Sequence, residues 1–212
     1  MEFNKYIDHT LLKATATADD IVQLCLQAKE YGFASVCINP CYVGLAKAKL
    51  NDCGVKVCTV VGFPLGQNST ETKVFEAKKA IENGADELDV VINISKVLDG
   101  DYGYVTSELK ALRDATIGKI LKIIIETCYL NKEQIVEMTK ICITVGADFV
   151  KTSTGFGTQG AVLEDIELIK SVCGDKIGIK ASGGIKTKEF AHALITSGAT
   201  RIGTSNGVAL MK

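Results

Sequence analysis

The chain has 212 residues, 47% of them hydrophobic and 23% charged, with a formal net charge of −1. That length suits one or two domains with a sizeable core, and near-neutrality argues against a nucleic acid or a membrane surface as the main partner. No apolar run of transmembrane length and no basic-then-apolar leader occurs, and the start Met1-Glu2-Phe3-Asn4 is polar, so a cytoplasmic protein is expected.

Residues 6–12 read as a first strand, with Asp8 and Thr10 on one face and His9 on the other. A helix follows from the cap Thr17, and Ile21, Leu24, Cys25 and Ala28 fall along one of its faces. Gly32 ends it in the left-handed conformation that glycine tolerates, and the next strand is 34–39, with Cys37 and Asn39 in one phase. The same order (amphipathic segment, glycine, aliphatic run, polar loop) recurs to the end of the chain. Gly54 precedes a strand at 56–61, which runs into the loop Gly62-Phe63-Pro64-Leu65-Gly66. Ser69 caps a helix with the narrower stripe Val74, Ala77 and Ile81, and Gly84 ends it. The strand 87–93 sets Asp89 opposite in phase to Leu88, Val90 and Ile92, and after Gly118 the strand 121–126 puts Lys122 and Glu126 on one phase. Asn131 caps a helix with Ile135, Met138 and Cys142 inward, which Gly146 ends. In the strand 149–153, Phe149, Lys151 and Ser153 share a face, and after Gly174 the strand 177–182 repeats this with Gly178, Lys180 and Ser182. A helix with the stripe Phe190, Ala193, Leu194 and Ser197 ends at Gly198, a strand follows at 200–204, and 206–212 leaves room for about two turns of final helix.

Strict alternation of helix and strand implies a parallel sheet. Eight such strands imply an α/β fold of the (β/α)8 TIM-barrel type, here one domain over 1–212 without a linker. The competitor is an open doubly wound sheet, which usually has fewer strands. Active sites of barrels form at the C-terminal strand ends, so period-2 phasing gives the inward polar candidates Asp8, Thr10, Cys37, Asn39, Asp89, Lys122, Lys151, Ser153, Lys180 and Ser182. The aliphatic residues of the opposite phase are expected to face the helices. Most of the eight cysteines lie in apolar runs (Cys25, Cys37, Cys58, Cys142, Cys173) and no CxxC pair occurs, so buried free thiols are expected. His9 and His192 are too few for a histidine-rich metal site and read as structural, so no metal is expected.

A buried ammonium is costly to desolvate without a partner or a task. Lys151, Lys180 and Asp89 together admit two readings, a buried ion-pair network or a Schiff-base site. In the second, desolvation and a neighbouring cation favour the neutral amine that attacks a carbonyl, and the carboxylate moves protons directly or through a water. The loop Ser182-Gly183-Gly184-Ile185-Lys186-Thr187 after the seventh strand and Gly203-Thr204-Ser205-Asn206-Gly207 after the eighth are where barrels build phosphate sites, and Thr154-Gly155-Phe156-Gly157 is expected on the same rim.

The stretches Glu87-Leu88-Asp89-Val90-Val91, Phe149-Val150-Lys151-Thr152-Ser153-Thr154-Gly155 and Gly178-Ile179-Lys180-Ala181-Ser182-Gly183-Gly184 resemble the signature stretches of the deoxyribose-phosphate aldolase family. The likeness covers nearly the whole chain, including Asp8-His9-Thr10-Leu11, Val36-Cys37-Ile38-Asn39-Pro40, Ile124-Ile125-Glu126-Thr127 and Arg201-Ile202-Gly203-Thr204-Ser205. The resemblance implies a class I aldolase that needs no cofactor and cleaves 2-deoxy-D-ribose 5-phosphate to D-glyceraldehyde 3-phosphate and acetaldehyde. It implies Lys151 as the Schiff-base lysine, Lys180 as the second lysine and Asp89 as the acid/base carboxylate. Asp8, Thr10 and Lys122 match positions near the sugar, and Gly155, Gly183, Gly184, Gly203 and Ser205 match the phosphate cradle. A homo-oligomer, dimer or higher, is implied as well. Asn206 stands where some members carry a serine and Phe156 where some carry a lysine. The tyrosine-ending tail of some members does not follow Lys212, so proton transfer is expected to rest on Asp89, Lys180 and water. Two other functions compete: another Schiff-base lyase or transaldolase acting on a sugar phosphate on the same barrel, and a non-catalytic binder of phosphorylated metabolites.

Overall fold

The computed structural model describes residues 2–51 and 53–212; Met1 and Asp52 lie outside the described residues. The strands are β1 (Ile7–Leu11), β2 (Ser35–Ile38), β3 (Lys56–Val61), β4 (Glu87–Val91), β5 (Ile120–Ile124), β6 (Phe149–Lys151), β7 (Gly178–Ser182) and β8 (Arg201–Thr204). They pair in chain order, all parallel, and β8 pairs back onto β1, so the sheet is a closed barrel rather than an open one. The helices between them are α1 (Ala18–Tyr31), α2 (Val43–Lys49), α3 (Thr70–Glu82), α4 (Ile94–Leu98), α5 (Tyr102–Ala115), α6 (Lys132–Thr144), α7 (Leu163–Cys173), α8 (Lys188–Thr196) and α9 (Gly207–Leu210). Among the described residues no helix is long and apolar enough to cross a membrane.

Local chemistry sets the helix boundaries. Thr17 accepts from the Asp20 amide while the Asp20 carboxylate accepts from the Thr17 amide, and Asn131 and Gln134 repeat the arrangement at the start of α6. These reciprocal bonds satisfy amides that the first helical turn leaves without partners. Gly32 closes α1 at φ 63°, where a Cβ would be strained. The outward strand residues Leu88, Val90, Ile123, Val150, Ile179 and Ile202 are buried in one cluster with Ile21, Leu24, Ile135, Met138, Ile166 and Leu194 of the helices. Each such side chain contributes about 1.5–3 kcal/mol relative to exposure.

Several sequence expectations shift. The buried face of α3 is Lys73, Ala77 and Ala80, with Val74 and Ile81 only partly buried. A lysine sits there because its ammonium meets Glu108 of α5 at 2.7 Å and donates to the Val91 carbonyl at 2.9 Å. In α8 the buried residues are Ala191 and Leu194, and Phe190 is partly covered. The final helix is four residues, one turn rather than two. The strand expected at 87–93 stops at Val91, because Asn93 turns to cap α4 through the Lys96 amide at 3.2 Å. The strand expected at 149–153 stops at Lys151.

The interior of the barrel is divided. On the β1–β3 side, Leu12, Cys37, Cys58 and Val60 form a small apolar cluster against Phe63. On the side from β4 to β8 and β1 the inward residues are charged. Register brings them together: Lys151 is the Cα partner of Lys180, Asp89 of Lys122, and Asp8 of Gly203.

Candidate active site

Asp89 is the centre of the cluster. It is fully buried on β4, and its Oδ2 accepts from Lys151 Nζ at 2.7 Å and Lys180 Nζ at 2.6 Å. Its Oδ1 accepts from Lys122 Nζ at 2.9 Å and from the Cys58 thiol at 3.1 Å. Asp8 pairs with Lys180 Nζ at 2.5 Å through one oxygen and with Arg201 at 2.6 Å through the other. Glu87 meets Lys122 Nζ at 2.5 Å and Arg201 at 3.1 Å. Arg201 is held from its other side by the Phe149 ring, 5.3 Å from ring centroid to guanidinium carbon.

The electrostatics follow from that packing. Burial opposes ionisation of Asp89, but Lys122, Lys151 and Lys180 outweigh it and hold its carboxyl well below the usual range. Burial likewise opposes the charge on Asp8, and Lys180, Arg201 and Lys122 overcome it. Burial disfavours the Lys180 ammonium, but Asp8 and Asp89 raise its pKa above the ordinary lysine value, and Lys122 is raised in the same way by Asp89, Cys58, Glu87 and Asp8. Among the described residues, two sets of atoms have metal-ligand spacing, Cys37/Cys58/Asp89 and Asp8/Cys58/Glu87. In both, the carboxylates already bind ammonium or guanidinium groups at 2.5–3.1 Å, which a cation would have to displace.

Above this network lies a cavity of about 380 Å³ at the C-terminal strand ends. Lys151 is at its floor, 2% exposed, and Thr10, Gly155, Gly183, Gly184, Gly203 and Ser205 are on its walls, with Lys186, Asn206 and Phe156. The structure therefore brings the expected glycine-rich rim and Lys151 to one cavity. Asp89, Lys180, Asp8 and Lys122 lie beneath, fully buried. Asp8 and Lys122, expected beside the sugar, are one layer too deep for its wall. Of the other inward candidates, Ser153 and Ser182 knit β6 to β7, the Ser182 hydroxyl donating to the Ser153 carbonyl at 2.6 Å. Cys37 faces Asp89 at 3.9 Å, and Asn39 sits half-buried past the end of β2. His9, read as structural, contacts Gln27 at 2.8 Å.

Gly203 has a second constraint. A Cβ there would sit 3.0 Å from Lys180 Cε and 3.0 Å from Ser182 Cβ, so the missing side chain makes room for the Lys180 stem. The rim loop after β6 is anchored by Glu126, which adopts φ 51° immediately after β5. Its carboxylate accepts from the Thr154 amide at 3.1 Å and from the Thr154 hydroxyl, and Thr154 Oγ1 in turn accepts from the Phe156 amide at 3.0 Å. Burial pushes the Glu126 carboxyl up. Phe156 meets Phe63 edge to face, with ring centroids 5.4 Å apart.

Sequence reasoning left Glu87, Arg201 and Cys58 out of the site. The signal was present: Glu87 is two residues before Asp89 and Arg201 two before Gly203, in the same inward phase.

Residues 3–211 match the model of the DeoC/LacD family of aldolases. A deoxyribose-phosphate aldolase of Finegoldia magna is 56% identical over 212 residues, covering 100% of each chain. One of Thermoanaerobacter sp. is 54% identical over 100% of this chain and 96% of that one. The structure described as a unique tetrameric deoxyribose phosphate aldolase from Aeropyrum pernix superposes with a TM-score of 0.91 at 34% identity, over 98% of this chain and 88% of that chain. With the family model spanning nearly every residue of a barrel that gathers three lysines on one buried aspartate, the chain belongs to the DeoC/LacD family of aldolases.

Proposed function

We infer that this protein, acting as one barrel domain over 1–212, is a class I deoxyribose-phosphate aldolase that reversibly cleaves 2-deoxy-D-ribose 5-phosphate to D-glyceraldehyde 3-phosphate and acetaldehyde. The observation that carries the reading is the cavity with a single lysine at its floor, Lys151, whose ammonium shares one Asp89 oxygen with Lys180.

Lys151 is the nucleophile. Its amine adds to the C1 aldehyde of the open-chain sugar, and loss of water gives the imine. Removal of the C3 hydroxyl proton then breaks the C2–C3 bond. The electron pair moves into a C1–C2 enamine, and glyceraldehyde 3-phosphate leaves. Protonation at C2 and hydrolysis of the imine release acetaldehyde and return the amine. Asp89, held ionised, is a weak base by itself; it shuttles protons by way of the Lys180 ammonium and a water in the cavity. Asp8 and Lys122 act from below, Asp8 by gripping Lys180 and Lys122 by gripping Asp89. Thr10 faces the sugar. Gly155, Gly183, Gly184, Gly203 and Ser205 hold the phosphate, with the Lys186 charge nearby. The tetrameric relative from Aeropyrum pernix supports a homo-oligomer here too, the formal net charge of −1 supports a protein without nucleic-acid or membrane-surface partners, and we read the protein as cytoplasmic.

The test is incubation with 2-deoxy-D-ribose 5-phosphate, with products identified by mass spectrometry and the enzyme trapped by borohydride. The expected outcome is glyceraldehyde 3-phosphate, acetaldehyde and a two-carbon adduct on Lys151. Different products mean another Schiff-base lyase; no adduct means a binder; an adduct on Lys180 reverses the assignment of the lysines.

A further inference from the structure

The barrel floor holds more positive than negative side chains. The other cations of the ion-pair network that holds Lys151 are Lys122 of β5, Lys180 of β7 and Arg201 of β8; the carboxylates are Asp8 of β1 and Glu87 and Asp89 of β4. The thiols of Cys37 on β2 and Cys58 on β3 donate to Asp89 and add no charge while they do so. Glu126, past the end of β5, accepts from Thr154 and forms no ion pair among the described residues. Lys13 and Lys186 line the outer cavity, where both are exposed to solvent. With Lys151 counted, four cationic side chains meet three carboxylates, a surplus of one if all are ionised.

The contacts are unequal. Lys122 has Glu87 at 2.5 Å and Asp89 at 2.9 Å, and Lys180 has Asp8 at 2.5 Å and Asp89 at 2.6 Å. Arg201 has Asp8 at 2.6 Å and Glu87 at 3.1 Å. Among the described residues Lys151 has Asp89 alone, through an oxygen it shares with Lys180. A guanidinium does not give up its proton in a protein, so Arg201 permanently occupies Asp8 and Glu87 from below. It is fixed there by the Phe149 ring, and Phe149 fits because position 178 is glycine: a Cβ there would lie 2.4 Å from Phe149 Cε1.

We propose that Arg201 is a positioning residue of the aldolase reaction: by occupying Asp8 and Glu87 from below, it leaves Lys151 the lysine with the fewest carboxylate contacts and so the one whose amine reacts. The proposal rests on the reading of Lys151 as the nucleophile. It extends the electrostatic control of that lysine to the opposite end of the barrel, to a residue that lies outside the cavity.

The test is the pH dependence of adduct formation with acetaldehyde and cyanoborohydride. Arg201→Met leaves three cations against three carboxylates, so the rise of the rate with pH should move to higher pH by about one unit or more, a loss of about tenfold near neutrality. Arg201→Lys keeps the charge and should keep the profile. The double variant Arg201→Met/Glu87→Gln, three against two, restores the surplus and should return the profile toward that of the unaltered chain. A rate reduced equally at every pH in Arg201→Met overturns the proposal, as does a double variant that stays shifted. If Arg201→Met does not fold, the two variants that retain the surplus decide: an alkaline shift in either refutes it, and unmoved profiles in both sustain it. Absence of any adduct in the unaltered chain would instead refute the underlying reading of Lys151.

Discussion

Replacing Asp89 by asparagine perturbs the site with almost no change of shape. The carboxylate accepts from Lys122 through Oδ1 at 2.9 Å and from Lys151 and Lys180 through Oδ2 at 2.7 and 2.6 Å. An amide has only one acceptor oxygen. Whichever way it turns, its NH2 faces either Lys122 or the Lys151/Lys180 pair, and a donor meets donors. The change also leaves buried cations with less compensation, which costs about 3–5 kcal/mol. For a chain of this size that lowers Tm by about 6–20 °C. Turnover of deoxyribose 5-phosphate should fall by about two to four powers of ten, the usual weight of a proton-transfer group. The imine should still form, and at lower pH than in the unaltered chain, because removing a negative charge favours the neutral amine. Calorimetry, a coupled assay for glyceraldehyde 3-phosphate and borohydride trapping at several pH values read the three effects separately. Near-native turnover would remove Asp89 from proton transfer, and an unmoved Tm would refute the view of the cluster as a tightly coupled, desolvated network.

Gly203→Ala should push on the Lys180 stem, since its Cβ lies 3.0 Å from Lys180 Cε. We expect a loss of about 1–3 kcal/mol in stability and a lower kcat, and unchanged kcat would show that Lys180 has slack. Gly184→Asp meets no atom within 4 Å, but it stands at φ +74° and points a carboxylate into the cradle. The KM for deoxyribose 5-phosphate should rise far more than that for unphosphorylated deoxyribose; equal effects on both would remove these loops from phosphate binding. Asp8 and Asp89 have folded pKa values below the unfolded value of about 3.9, so their stabilisation is complete above that pH and lost as pH falls through the folded values. Lys122 and Lys180 are raised, and their share is complete below about pH 10 and lost above it. The Tm gap between the unaltered chain and Asp89→Asn should therefore be large at about pH 5 and shrink in stronger acid; a gap that persists undiminished in strong acid would contradict the assignment.

Periodicity alone carried most of the architecture. A glycine after each amphipathic run and an aliphatic run after each glycine are local statements about backbone freedom and burial, and seven of them in alternation, with the strand 6–12 ahead of them, left few topologies other than the closed barrel. The period of two also separated Asp89, Lys151 and Lys180 from their aliphatic neighbours, and this was enough to gather them in one interior. Depth along the barrel axis lay beyond it. Phase says that a side chain points inward, while stagger between strands decides whether it reaches the cavity, as Lys151 and Thr10 do, or stops a layer below, as Asp8 and Lys122 do. Glu87 and Arg201 carried the inward phase too, but that they meet each other across 114 residues of sequence is decided only by which strands the barrel brings together. Periodicity also hid Lys73, which lies outside the stripe Val74, Ala77 and Ile81 and is buried where α5 brings Glu108 to meet it. Local sequence fixes the direction of a side chain because the backbone repeat is short. Pairing of charges depends on which strands and helices become neighbours, and only the closed tertiary structure decides that.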